Sequence, residues 1–566
     1  MPFGYHGAYL RIDVATGEAR RVPIPADVLE RFLGGVGLGT WICLREGGAE
    51  CDPLAPPAPL VFALSPLVGT PLTTSAKFAV VARSPLTGFL SDAISSSHWA
   101  IAAKRAGYDA YVLVGRAPSL ARVVVDDGDV RLVRAEGVRG QPASACEIEG
   151  HRTAAIGPAG ENLVRYATIS NDRRHAGRGG LGAVMGAKNV KAFSVRGTGR
   201  VEVFDPKGVG AAARELSEKS FGPATAKYRE LGTIANVLAF NRLDTLPTRN
   251  FRDGSFEGAA SISAEALHAM EKLGRESCAA CTIGCEHIFR APGGEAVRLE
   301  YESLFALGSL LGIDDRGAVL ESARLCDHYG IDTISAGGTL AFAMEAGMTG
   351  LRFGDAAAVH AALHRIGRRE GDGDLLAEGS RRAAERLEKP ELAMHVKGLE
   401  VPGYDPRRLK AMALGFAVGT RGADHNRSGA YELDFSAEAF DVAKVVAIED
   451  RTAAMDSLIL CKFLRGVFRD FETEGSALLR LVTGMEVDLA AAGARVCSLR
   501  KLFNERAGWA RKDDTLPDRF LRGALSAPML ADMIASYYRA RCWNNDGRLP
   551  PETAERLGLT DLLPSR

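Results

Sequence analysis

The chain carries no net charge: its 70 lysines and arginines are matched by 70 aspartates and glutamates. A protein without a long-range field is not drawn to nucleic acid or to an anionic membrane surface, so neither is expected as a partner. Long apolar runs are missing too. The longest, such as PLVFALSPLVG, are broken by Pro and fall short of a membrane span. The opening segment MPFGYHGAYLRIDVATGEARR has no apolar stretch behind a basic start, and a cytoplasmic, reducing location is expected. Cysteine is sparse, ten in the chain and most of them single in apolar stretches, which argues against a disulfide framework. Repeats, low-complexity linkers and long charge runs are also absent.

At 566 residues the chain exceeds one hydrophobic core, and about three domains of ordinary size are expected. Up to residue 205 short β-branched runs (AYLRIDV, KFAVVAR, DAYVLVG, ARVVVDD, DVRLVRA, VRYATIS, VKAFSVRG) alternate with Gly, Pro and Asp turns. From Asp205-Pro206 the apolar spacing becomes helical, as in DPKGVGAAARELSEKS, SAEALHAMEKL, LESARLCDHYG, TLAFAMEAGM and VHAALHRIGRR. A further boundary falls near Leu399–Tyr404, where LEVPGYDPRR supplies Pro, Gly and Pro. The expectation is an α+β protein with a β-rich domain over 1–205 and mainly helical domains over 206–400 and 401–566.

Against the sparse cysteine background, Cys278, Cys281 and Cys285 cluster in ESCAACTIGCEHIF. A helical turn would set their sulfurs on one face. Three thiolates can hold a metal or an iron–sulfur cluster, given a fourth ligand from elsewhere, and Cys461 in MDSLILCKF is the candidate. Zinc remains a competitor, with His287 as a conceivable ligand. Cys43, Cys51, Cys146, Cys326, Cys497 and Cys542 are expected mostly as buried small hydrophobes.

Gly177-Arg178-Gly179-Gly180-Leu181-Gly182 satisfies the G-x-G-x-x-G dinucleotide pattern, with Glu202 about twenty residues on. The geometry does not suit a Rossmann unit: only LGAVMGAK separates the glycines from the next strand, where a crossover helix of ten or more residues is needed. An anion cradle fits better, with glycine N–H groups and Arg178 receiving a phosphate.

Together with these features, FLGGVGLGT, SPLTG, HAGRGGLGAVMGAKNVKA, LEYESLFALG, CDHYGIDTIS, GYDPR, TRGADHN, DSLILC, FNERAGWARKDDTLPDRF and YYRARCWNNDG occur in one order from end to end. In them the chain resembles the tungsten-containing aldehyde:ferredoxin oxidoreductase family. The resemblance implies tungsten (or molybdenum) held by two pterins, beside one [4Fe-4S] cluster on Cys278, Cys281, Cys285 and Cys461. It also implies a magnesium ion bridging the pterin phosphates. Asp327, Gly330 and Asp332 match a D-x-x-G-x-D pterin motif, and Asp456, Leu460 and Cys461 match its partner, except that Ile459 replaces the usual Gly. Carboxylates suit pterin edges, whose N–H groups they can accept. Arg178, Gly179, Gly180 and Lys77 would meet phosphate, Lys77 where Arg is usual. Val36 replaces an Arg common in relatives, and SDAISSSHWA lacks the Asn- and Gly-containing loop expected there.

By the same resemblance Glu302 would act as general base and His425 would bind the carbonyl or shuttle a proton, its ordinary pKa lying near neutrality, with Tyr301 shaping the pocket. Implied partners are a small-molecule aldehyde and a ferredoxin or iron–sulfur subunit. A homodimer is compatible; its bridging iron is not carried over, because Glu321-Ser322-Ala323-Arg324 lacks the His of an E-x-x-H motif. Two other functions remain in view: a reductive relative of aromatic acyl-CoA reductase type, marked by a further metal-ligating cysteine in the pocket, and a non-catalytic protein stabilised by zinc or a cluster.

Overall fold

A computed structural model describes residues 2–563. Strands β1 (Ala8–Asp13), β2 (Ala19–Pro23), β3 (Leu60–Ala63), β4 (Lys77–Arg83), β5 (Leu90–Ser96) and β6 (Ala110–Val114) form a first sheet, ordered β2-β1-β6-β3-β4-β5. Its pairs are antiparallel except β1 with β6. A second sheet, ordered β11-β10-β9-β12-β7-β8, comprises β7 (Ala121–Asp126), β8 (Asp129–Arg134), β9 (Arg152–Ile156), β10 (Ile169–Asn171), β11 (Arg174–Ala176) and β12 (Val190–Arg196).

The apolar run KFAVVAR does not alternate, because β4 buries both faces. On one side the helix Gly35–Arg45 lies close, with Gly39 against Val81 and Ala63. On the other side Trp99, on the helix His98–Arg105, is fully buried among Phe62, Phe78, Tyr111 and Phe193. Its indole N–H donates to the Phe193 carbonyl at 3.0 Å, tying the two sheets together. The run VRYATIS is strand only from Ile169. Before it the backbone bonds outward, Arg165 N–H to the Ala377 carbonyl and Thr168 N–H to the Gly330 carbonyl.

From Pro206 onward the chain is mostly helical, so the expected order of strands first and helices after holds. The helix Pro206–Ser220 starts where Asp205 accepts the Gly208 N–H at 2.9 Å, with Pro206 in its first turn. The helices Val442–Leu458 and Leu489–Arg506 pack together and against Gly35–Arg45, placing the end of the first of them, Asp456 to Leu458, beside the β-rich part. Among the described residues no helix is long and apolar enough to cross a membrane.

A small antiparallel sheet, β13 (Lys272–Glu276), β14 (Glu286–Arg290) and β15 (Ala296–Arg298), interrupts the helices and was not foreseen. It corrects the helical turn expected for the cysteine trio: residues 277–285 are the loop joining β13 to β14. Left-handed backbone at Ala280 (φ 47°) and Gly284 (φ 63°) folds that loop back on itself.

Candidate active site

A cavity of about 420 Å³ lies between the sheets and the helical part. It gathers Lys77, Arg178, Cys278, Cys285, Glu302, Asp327, Asp332, His425, Asp456, Leu460 and Cys461, residues spread over most of the chain. Lysine and arginine outnumber carboxylates on its wall, with Lys77, Arg174, Arg178, Arg298, Arg421, Arg427 and Lys462 against Glu300, Glu302, Asp327, Asp332 and Asp456. Such a wall suits an anionic guest.

The two cysteine segments meet through one residue of the N-terminal part. Thr74 donates its N–H to the Ala280 carbonyl at 2.7 Å, while its hydroxyl accepts the Cys461 N–H at 3.4 Å. Cys278 is pulled down to about 4, chiefly by a hydrogen bond with Cys281, then by Arg174 and Lys77. The Cys278 bond and burial push Cys281 up; burial, then the nearby Cys461, pushes Cys285 up. His287 Nε2 lies 3.1 Å from the Tyr228 carbonyl, and its ring stacks on His268. Of the six remaining cysteines, Cys43, Cys146, Cys326 and Cys497 are buried, Cys51 is half-buried and Cys542 is exposed. None of the six lines the cavity.

Glu302 sits in the first turn of the helix Tyr301–Leu307. Its Oε2 accepts the Gly403 N–H at 3.0 Å, and its Oε1 lies 3.5 Å from His425 Nδ1. Burial lifts the carboxyl to about 8, outweighing the Gly403 bond and Arg178. Burial also lowers His425 to about 3, so its imidazole is neutral at physiological pH rather than titrating near it. Tyr301 does not reach the cavity. Its hydroxyl donates to the Gly403 carbonyl, so it holds the glycine that anchors Glu302.

The glycine motif turns Gly177 and Arg178 toward the cavity. Arg178 donates to the Ala423 and Glu400 carbonyls at 2.7 and 2.6 Å and to Asp424 at 3.3 Å, and its Nε lies 3.5 Å from Asp332 Oδ2. Gly179 and Gly180 do not line the cavity; both have positive φ, and a Cβ on either would strike Ser91 Oγ or the Arg165 carbonyl at 1.9 Å. Both sit in close packing, and Gly177 is the glycine of the motif that faces the cavity. Gly330 likewise lies outside it, ending the helix Arg316–Tyr329 in left-handed conformation.

Asp327 faces His175 Nε2 at 3.1 Å, and Asp332 caps the helix Thr333–Glu345 through the Ile334 and Ser335 N–H groups. Asp456 is bound by Lys462 at 2.9 Å and Arg427 at 3.1 Å. Behind them is a charge network that the motifs did not reveal. Fully buried Asp92 meets Arg427 and Arg500, while Arg421 pairs with Asp424. Burial alone would raise the Asp92 carboxyl; the three arginines hold it far below its usual range. The only available signal was the pair Arg421 and Arg427 flanking GADHN.

A β-rich base carrying helices over a cation-rich cavity, with clustered cysteines and a buried carboxyl–imidazole pair, defines a cofactor-dependent redox enzyme. Residues 9–197 match the model of the aldehyde ferredoxin oxidoreductase N-terminal domain, and residues 210–559 that of aldehyde ferredoxin oxidoreductase domains 2 and 3. The chain belongs to the aldehyde ferredoxin oxidoreductase family and is an oxidoreductase. It is 36% identical to the tungsten-containing aldehyde ferredoxin oxidoreductase of Pyrococcus furiosus, over 99% of this chain and 100% of that protein. It is 28% identical to the WOR-like subunit of an aliphatic sulfonate oxidoreductase of the same organism, over 98% and 97%. Its fold is shared with a chain of the BamBC active-site complex of benzoyl coenzyme A reductase, with a TM-score of 0.86, 23% identity and coverage of 99% and 98%.

Proposed function

We propose that this chain oxidises aldehydes to carboxylic acids and passes the electrons singly through a [4Fe-4S] cluster to a ferredoxin or an iron–sulfur subunit. The observation that carries this reading is the buried Glu302–His425 pair opening into the same cavity as Cys278, Cys285 and Cys461. The residues present fit the implied cofactors. Asp327, Asp332 and Asp456 offer acceptors for pterin N–H groups, the lysines and arginines, Lys77 and Arg178 among them, suit phosphates, and the unpartnered Nε of Arg421 remains as a donor. Cys278, Cys281, Cys285 and Cys461 would hold the cluster. The division at 1–205, 206–400 and 401–566 is retained as the working domain organisation.

When bound, the tungstopterin supplies the oxygen donor and the two-electron acceptor. The net conversion of aldehyde and water to acid releases two electrons and two protons, and the protein must move the protons. Ionised Glu302 takes a proton at Oε1 from water or from the hydrated aldehyde while Gly403 fixes Oε2. Neutral His425, with Nδ1 3.5 Å away and otherwise unpartnered, then accepts a hydrogen bond from the protonated carboxyl and orients it. Tyr404 stacks on His425 with ring centroids 5.0 Å apart and fixes the plane of the imidazole.

The reductive reading asks for a further cysteine in the pocket, and among the described lining residues the cysteines are those assigned to the cluster. Metal analysis of anaerobically purified protein, then an aldehyde panel with a viologen acceptor, tests the proposal. Tungsten, about four iron atoms per chain and aldehyde-dependent viologen reduction are the expected results. Zinc in their place would overturn it.

A further inference from the structure

The segment 220–231 lies over both cysteine-bearing stretches. Ser220 Oγ is 2.6 Å from Thr282 Oγ1 in the middle of the trio loop. The Tyr228 ring stacks at 4.0 Å and 17° on Phe463, two residues beyond Cys461. The Tyr228 carbonyl faces His287, two residues beyond Cys285. Whatever reaches the cysteines from this side meets the outer face of that segment first.

That face combines an exposed aromatic ring with unpaired cations. Phe221 is 56% exposed, and the Arg229 guanidinium lies 4.4 Å over its ring. Lys227 is exposed beside them. Lys227 and Arg229 hydrogen-bond to Asn236, Thr225 and Gly222, all neutral. On the trio hairpin, edge strand β13 exposes Arg275, whose guanidinium reaches over Gly284 next to Cys285, and Lys272 farther along. The ion pairs of these stretches, Arg173–Glu276 and Lys219–Glu215, involve other residues. Glu271 is paired with Arg316 at 3.4 Å, and Glu218, Glu230 and Glu265 are the carboxylates of these stretches without an ion pair, so Lys227, Arg229, Lys272 and Arg275 leave a small excess of positive charge on this side.

We propose that this face, centred on Phe221, docks an acidic iron–sulfur electron carrier. An exposed aromatic–arginine pair with a cationic surround fits a partner whose small apolar contact is rimmed by carboxylates. The step is a transfer of one electron: the cysteine-held cluster is oxidised, the carrier's cluster is reduced, and no atom moves. The inference rests on the function proposed above, and its test separates the two.

The double variant Lys227→Glu/Arg275→Glu changes two exposed side chains that hold no ion pair, and Phe221→Ala provides an independent second variant. Binding of a recombinant [4Fe-4S] ferredoxin of net negative charge is measured by calorimetry over a range of salt. Viologen-coupled aldehyde oxidation is measured in parallel. The docking face predicts a roughly tenfold rise in Kd for the charge-reversed protein at low salt, a shallower salt dependence, and unchanged viologen turnover and iron content. Phe221→Ala should weaken binding while leaving the salt dependence intact. Unchanged affinity in both variants would overturn the docking face while leaving the enzymatic reading in place. Wild-type holoenzyme that reduces viologen but does not bind the ferredoxin would overturn the choice of an acidic carrier. Absence of aldehyde-dependent viologen reduction in the wild type would count against the enzymatic reading itself, with the binding measurements still deciding the face.

Discussion

Oε1 of Glu302 lies 3.5 Å from Nδ1 of His425, and neither atom has another protein partner. At neutral pH burial keeps the carboxyl largely protonated and the imidazole neutral. The proton thus resides on Glu302, beside the neutral imidazole, and Gly403 and Tyr404 fix the two groups.

Glu302→Gln keeps the size and the Gly403 bond but removes the base. We expect kcat to fall about 10²- to 10⁴-fold with tungsten and iron content unchanged. In the wild type, base action needs the ionised form, so activity should rise with pH through about 8, and the variant should lose that limb. Full tungsten with near-normal turnover in Glu302→Gln would remove Glu302 from the chemistry.

The sequence disclosed parts of this site unequally. The cysteine trio was legible because its spacing is local, although the helical turn assumed for it gave way to the loop between β13 and β14. Glu302 and His425 stood out only through the motifs around them, and the burial that shifts both is a tertiary effect. What one dimension cannot show for Arg178 is that Ala423, Glu400 and Asp424 already hold its guanidinium. Asp92 and Arg500 carried no signal, being single charges 408 residues apart that meet at 2.5 Å. In the first sheet β1, β4 and β6 were legible as β-branched runs, whereas β3, β5 and the mostly exposed β2 were not.

Cys461→Ala tests the cluster assignment. Its backbone N–H and the trio loop share Thr74, so loss of the thiolate leaves the loop in place while removing one ligand. Iron content and the reduced-cluster EPR signal should both fall. Full iron with a normal signal would mean that the fourth ligand lies elsewhere.

Asp92→Asn should be strongly destabilising. It leaves Arg427, Arg500 and Arg421 facing a neutral amide in a site closed to water. Breaking a buried charge pair in this way costs about 3–5 kcal/mol, to be read from denaturant unfolding of the purified protein. Because the Asp92 pKa is depressed, this stabilisation is fully present above the ordinary carboxylate range and is lost only as pH falls through the folded-state value. The variant should therefore approach the wild type in stability only in strong acid.

A homodimer of this chain should carry no bridging iron. Arg324 binds both oxygens of Glu321 at 2.7 and 2.8 Å and reaches Glu295 at 3.1 Å, placing a cation where a metal would need to sit. Metal counting on the isolated oligomer should find only tungsten, cluster iron and magnesium. An additional mononuclear iron per dimer would contradict this.

Ile459 is a β-branched residue in left-handed conformation (φ 59°) at the end of the helix Val442–Leu458. Holding Ile there costs about 1–2 kcal/mol, which Gly would relieve. The side chain is also fully buried, and its Cγ1 packs against Gly35 so closely that a Cβ there would come within 2.6 Å. Deleting such a side chain costs about 2–5 kcal/mol, so packing outweighs strain. Ile459→Gly should therefore lower the unfolding midpoint despite relaxing the backbone. It should also loosen Leu460 and Cys461, which follow directly, and reduce iron retention on heating. A variant more stable than the wild type would show that the strain, and not the contact with Gly35, dominates this position.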